Sequence, residues 1–71
     1  MSHHHTYKKL EIVGTSPNSI EEAIQNAITE TANSVNHLDW FEVIETRGHI
    51  IKNQIAHYQV TLKIGFRIDN S

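Results

Sequence analysis

The chain has 71 residues, no cysteine, 38% hydrophobic residues and a formal net charge of -2, which describes one small domain without disulfides. A monomer of this size buries only about 60% of the surface its unfolded chain exposes, and so short a core usually needs a staple such as a metal or oligomerisation. The charge is too weak to favour nucleic acid or an anionic membrane, and no apolar run approaches the roughly 20 residues of a transmembrane helix. Neither partner is expected, and the cytoplasm is the default location.

Residues 1–6 are polar and without period, and read as a disordered tail; their run of His3, His4 and His5 is assigned no native role. From Tyr7 to Gly14 the residues alternate, with Leu10 and Ile12 on one face and Lys9 and Glu11 on the other, which predicts a strand ended by Gly14. A cluster of turn residues follows, and Ser19 with Glu22 fits a capping box. Ile20, Ala23, Ile24, Ala27, Ile28 and Val35 then repeat at helical spacing, predicting a helix of about 17 residues closed by Asn36 and His37.

Leu38 opens a second strand that runs to about Gly48. A third, from about Ile55 to Ile68, alternates Ala56, Tyr58, Val60, Leu62, Ile64, Phe66 and Ile68 with polar residues and glycine. The link Ile51 to Gln54 predicts an antiparallel hairpin, with Asn53 as its candidate for a positive φ. The fold class is therefore α+β, in the order β-α-β-β, with a three-stranded antiparallel sheet wrapped on one helix. The domain spans residues 7–68, and residues 69–71 form a C-terminal tail.

A 17-residue helix is about 25 Å long and a 13-residue strand about 43 Å, so the sheet outruns its lid. Phe66 and Ile68 are expected to protrude beyond the helix, and further copies of the chain are the expected staple. If Phe41 and Val43 share the core face, alternation turns Trp40 to the other one, together with Gln59. An indole beside an amide suits a flat heteroaromatic ligand, although periodicity alone favours burial of the tryptophan in a subunit interface. Phosphate loops, nucleophile elbows and paired helical histidines are missing from the sequence, and the spacing of His37, His49 and His57 argues for no shared metal site.

The segment Leu38, Asp39, Trp40, Phe41, Glu42 and Val43, followed by Arg47 and Gly48, by Tyr58, Gln59 and Val60, and by Gly65, Phe66 and Arg67, resembles the dodecins, a family of small flavin-binding proteins. Gly14, Thr15 and Ser16 extend the likeness over nearly the whole chain. The resemblance implies a hollow homododecamer built from trimers, with FMN or riboflavin held between subunits. It implies that Trp40 stacks on the isoalloxazine, that Gln59 bonds its polar edge, that Arg47 lies near the flavin, that Arg67 lies near a ligand phosphate and that Glu45 accepts from ribityl hydroxyls.

Strict alternation puts Glu45 and Arg47 on the Phe41 face, so their part requires a twist, a bulge or a neighbouring subunit. The resemblance also implies coenzyme A near a three-fold axis, where the N-terminal lysines gather; Lys8 and Lys9 are read as solvent-facing charges of the first strand and kept out of the site. A flavin sandwiched between an indole and a second flavin has neither face free for substrate, so storage and photoprotection are expected and catalysis is not. The alternative function is an oligomeric scaffold or a coenzyme A-binding assembly without a flavin role.

Overall fold

The computed structural model describes residues 4–69. Residues 1–3, including His3, and residues 70 and 71 lie outside the described residues, so the expected tails are described only in part. His4, His5 and Thr6 adopt no regular element, and the Ile68 N–H donates to the Thr6 carbonyl at 2.8 Å.

The elements are β1 (Tyr7–Ser16), α1 (Ile20–Ala32), β2 (Leu38–Ile51) and β3 (Gln54–Arg67). They form one antiparallel sheet in the order β1-β3-β2, so the strand with the clearest alternation takes the centre. Val60, Leu62 and Ile64 on one face of β3 are buried against Ala23 and Ala27 of α1, with Ile12, Ile24, Ile28 and Leu38 packed around them. That face is the helix side of the sheet. The odd-numbered residues of β3, from His57 to Arg67, make its outer side.

β1 runs two residues past the predicted end, because Gly14 is a point of close approach rather than a stop. A Cβ there would stand 2.1 Å from the Ala23 carbonyl oxygen and 2.8 Å from the Ala27 Cβ, so the bare backbone lets the helix cross the strand. Ser19 caps α1 as expected, its side chain accepting from the Glu22 N–H at 3.0 Å. The Glu22 carboxylate turns instead to the hydroxyl of buried Ser16 and to Asn18 Nδ2. These bonds, Ser16 first, hold the Glu22 carboxyl below its usual 4.5.

The helix is 13 residues long, not 17. From Asn33 its backbone bonds shift to carbonyls three residues back, those of Glu30 and Thr31, and the turn loosens before His37 takes a φ of 65°. The hairpin is tighter than predicted. Lys52 and Asn53 alone form it, with φ of 52° and 65°, the double positive φ that a type I′ turn demands.

The overhang lies at the opposite end from the one expected. Phe66 and Ile68 are half-buried, whereas Ile50, Ile51 and Ile55 near the turn are 76%, 57% and 59% exposed. The reason is register: β1 ends with Ser16 opposite Tyr58, and beyond that pair β2 and β3 continue as a bare two-stranded arm. The helix also sits over β1 and β3, leaving Phe41 and Val43 of β2 close to half exposed on the helix side. The chain is 60 Å long and 20 by 13 Å across, with a radius of gyration of 14.9 Å. A compact domain of this length would have a radius of about 11 Å.

Candidate functional site

The only tryptophan stands on the outer side of the sheet, away from the helix. Leu38 pairs with Phe66 on the helix side, then a bulge at Asp39 lets Trp40 pair with Gly65, and Phe41 returns to the helix side opposite Ile64. Gly65 is what allows the indole to lie close. A Cβ at Gly65 would be 2.3 Å from Cζ2 and 2.4 Å from Cε2 and Cη2 of Trp40, so the ring rests on bare backbone. One indole face is used by the sheet and the residue remains 40% exposed.

The neighbours fix the ring in that pose. Tyr7, opposite Arg67 on β1, meets it edge-on with ring centres 5.3 Å apart. Lys9 Nζ reaches across β3 to Glu42 Oε1 at 2.6 Å, tying the two edge strands together beside the indole. The Lys9 hydrogen bond and charge hold the Glu42 carboxyl below its usual 4.5 against a small opposing effect of burial, and Lys63 and the Trp40 N–H add to the lowering.

Glu45 and Arg47 reach the outer side after all. A second bulge, at Ile44, shifts the register between Val43 and Glu45, so that Glu45 pairs with Thr61 and Arg47 with Gln59. Strict alternation is thereby broken, and all of Trp40, Glu45, Arg47, Gln59 and Arg67 share one side of the sheet. Arg47 Nε lies 3.6 Å from Glu45 Oε1, an exposed pair of little energetic weight.

They do not, however, form one cluster. Arg67 stands with Trp40 and Tyr7 near one end, whereas Gln59 and Arg47 stand six residues of β3 from the partner of Trp40, about 20 Å along the strand, with Glu45, opposite Thr61, four residues away. That is farther than a three-ring heteroaromatic spans, so the indole is not beside the amide within a single chain. Arg67 holds a second distinction: its Nε is buried without a hydrogen-bond partner among the described residues. Its terminal nitrogen approaches His37 Nε2 at 3.5 Å, while that same imidazole nitrogen sits 2.7 Å from Asp69 Oδ1.

Sequence reasoning did not assign Tyr7, Gly65 or the Lys9–Glu42 pair to the site. Their signal is present in β1, whose alternation puts Tyr7 and Lys9 on one face, but it becomes readable only once the β1–β3 register is known. Two concavities among the described residues lie elsewhere in part. A groove of about 760 Å³ between β1 and α1 includes none of the five expected site residues, and a smaller one of about 140 Å³ touches Trp40 at the β2 edge beside Ile28 and Leu38.

Comparison with known proteins agrees with the fold. The Dodecin family model matches residues 6–69. A curated dodecin from Thermus thermophilus is 48% identical over 65 residues, covering 92% of this chain and 94% of that protein. The solved structure of dodecin from Streptomyces coelicolor is 49% identical, covers 100% of both chains and superposes with a TM-score of 0.90. Three single-substitution variants of the Thermus thermophilus dodecin, altered at a tryptophan and at two arginines, have solved structures at 44–45% identity, with TM-scores of 0.90–0.91 over 94–96% of this chain and 100% of theirs.

Proposed function

Since the chain belongs to the dodecin family, we propose that it binds and stores flavin, FMN or riboflavin, between the subunits of a cytoplasmic homododecamer and does not turn substrate over. The observation that carries this reading is the Trp40 indole, laid against Gly65 with its other face outward. An outward aromatic plane gains stacking energy from a flat guest and leaves a polar edge to be bonded by others.

The separation of about 20 Å between Trp40 and Gln59 supports a shared site. Around a two-fold axis each contact occurs twice, so Gln59 and Arg47 of one copy approach Trp40 of another, and the converse. The slender shape and the half-exposed Phe41 and Val43 support assembly, because a lone subunit leaves them in water. The substituted tryptophan and arginines of the Thermus thermophilus variants are spaced by 7 and 20 residues, the intervals that separate Trp40, Arg47 and Arg67 here.

Arg67 is the reading's phosphate contact, since a guanidinium on the outer side of the sheet offers charge-assisted donors to anionic oxygens. Glu45 accepts from ribityl hydroxyls. An indole stacked on an excited flavin donates an electron quickly and quenches it, which makes the stored ligand photochemically safe. Coenzyme A gains no comparable support, as Lys9 is engaged by Glu42.

Titration of FMN with the protein tests the reading. Fluorescence should be quenched stoichiometrically, Trp40→Ala should abolish most of the quenching, and NADH should not be oxidised in the presence of bound flavin. Unquenched FMN at equimolar protein rejects the flavin site, and sustained NADH oxidation rejects storage.

A further inference from the structure

We propose that His49 and His57 together form a two-imidazole site for a borderline divalent transition ion, with Zn²⁺ as its reference ligand. The seven residues between them hide the relation in the sequence, but the hairpin register places the two directly opposite each other on β2 and β3. Their rings meet edge to face with centres 6.2 Å apart, and both residues are exposed.

The geometry is close to that of a chelate. Imidazole nitrogens bind Zn²⁺ at about 2.0–2.1 Å in tetrahedral arrangement, which sets two ligating ring centres about 5 Å apart. Side-chain rotation that closes the pair by about 1 Å therefore brings both nitrogens onto one ion. Backbone movement is not required, since the cross-strand pairing already holds the two Cβ atoms close.

The surroundings leave the pair accessible. It lies in the two-stranded arm, one pair beyond the last β1 partner, so no third strand crowds it. The nearest cation on the same face, Arg47, is paired with Glu45. The described residues contain no group of three or more His, Cys, Asp or Glu able to hold a metal, so water or a second copy completes the coordination. Imidazole is a good ligand for zinc, nickel and copper and a poor one for calcium or magnesium, which sets the ion class.

The proposal is independent of the flavin reading, and its test uses no flavin. His3, His4 and His5 are first replaced by Asn to remove competing imidazoles, and ZnCl₂ is then titrated calorimetrically into the full chain in a non-chelating buffer. Saturable binding reversed by EDTA is expected. His49→Gln and His57→Gln should each weaken it at least 10-fold with an unchanged circular dichroism spectrum, and His37→Asn should leave it unaltered. Absence of saturable binding, its survival in both glutamine variants, or its loss in His37→Asn overturns the proposal.

Discussion

Replacing Gly65 by alanine should move the indole without touching it. The added Cβ would stand 2.3 Å from Trp40 Cζ2, whereas carbon atoms in comfortable contact are about 3.5–4.0 Å apart, so the ring must rise or swing by about 1.2–1.7 Å. A stack of planar rings does not absorb such a shift, because attraction falls off within a fraction of an ångström of its optimum. Loss of one aromatic stacking contact is worth about 1–3 kcal/mol, so FMN affinity should drop by about 5- to 150-fold. The backbone should tolerate the change, since alanine is preferred to glycine in a strand by about 0.5–1 kcal/mol. Quenching of FMN fluorescence gives the affinity, and size-exclusion chromatography with circular dichroism checks that fold and assembly persist. In a double-mutant cycle with Trp40→Ala, the alanine at 65 should add little further loss. Unchanged affinity in Gly65→Ala, with the fold intact, would refute the claim that the bare backbone under the indole makes the site.

Other expectations concern stability and association. Leu62 is fully buried at the centre of the small core, and Leu62→Ala should destabilise the fold by about 2–5 kcal/mol in chemical denaturation. Light scattering at micromolar concentration should report twelve chains, and a stable monomer would contradict the assembly. Glu22 has a folded pKa below the 4.5 of the free group, so its hydrogen bonds stabilise fully above that value and fail as pH falls through the lower folded pKa. Glu22→Gln should accordingly flatten the acid limb of a melting-temperature profile as pH falls below 4.5. The turn offers an improvement: Lys52→Asn with Asn53→Gly gives both positive-φ positions the Asn-Gly pair that a type I′ turn prefers and should stabilise by about 1 kcal/mol.

The unbroken alternation of β3 made the central strand, its buried face and the outward side of Gln59 and Arg67 legible from residues alone. The same parity argument turned Trp40 outward correctly, although the bulge at Asp39 lies just before it. It failed for Glu45 and Arg47, because a bulge at Ile44 inserts one residue without any glycine or proline to announce it. Gly14 misled for a related reason. A glycine chosen for its missing Cβ under a crossing helix looks, in sequence, like one chosen for a turn. The direction of the overhang depends on which end of β3 the first strand covers, a fact of pairing between residues some fifty positions apart that local pattern does not contain.

The bulges in β2 have a consequence beyond side-chain placement. β2 is an outer strand of 14 residues carrying Val43, Ile44, Ile50 and Ile51, and a long, flat, apolar margin of that kind is a template for runaway strand addition. Each inserted residue bends and overtwists the margin, and Asp39, Glu42, Glu45 and Arg47 add charge along it. The distortion that delivers an arginine to the outer side thus also denies a foreign chain the straight run it would need to begin a fibril.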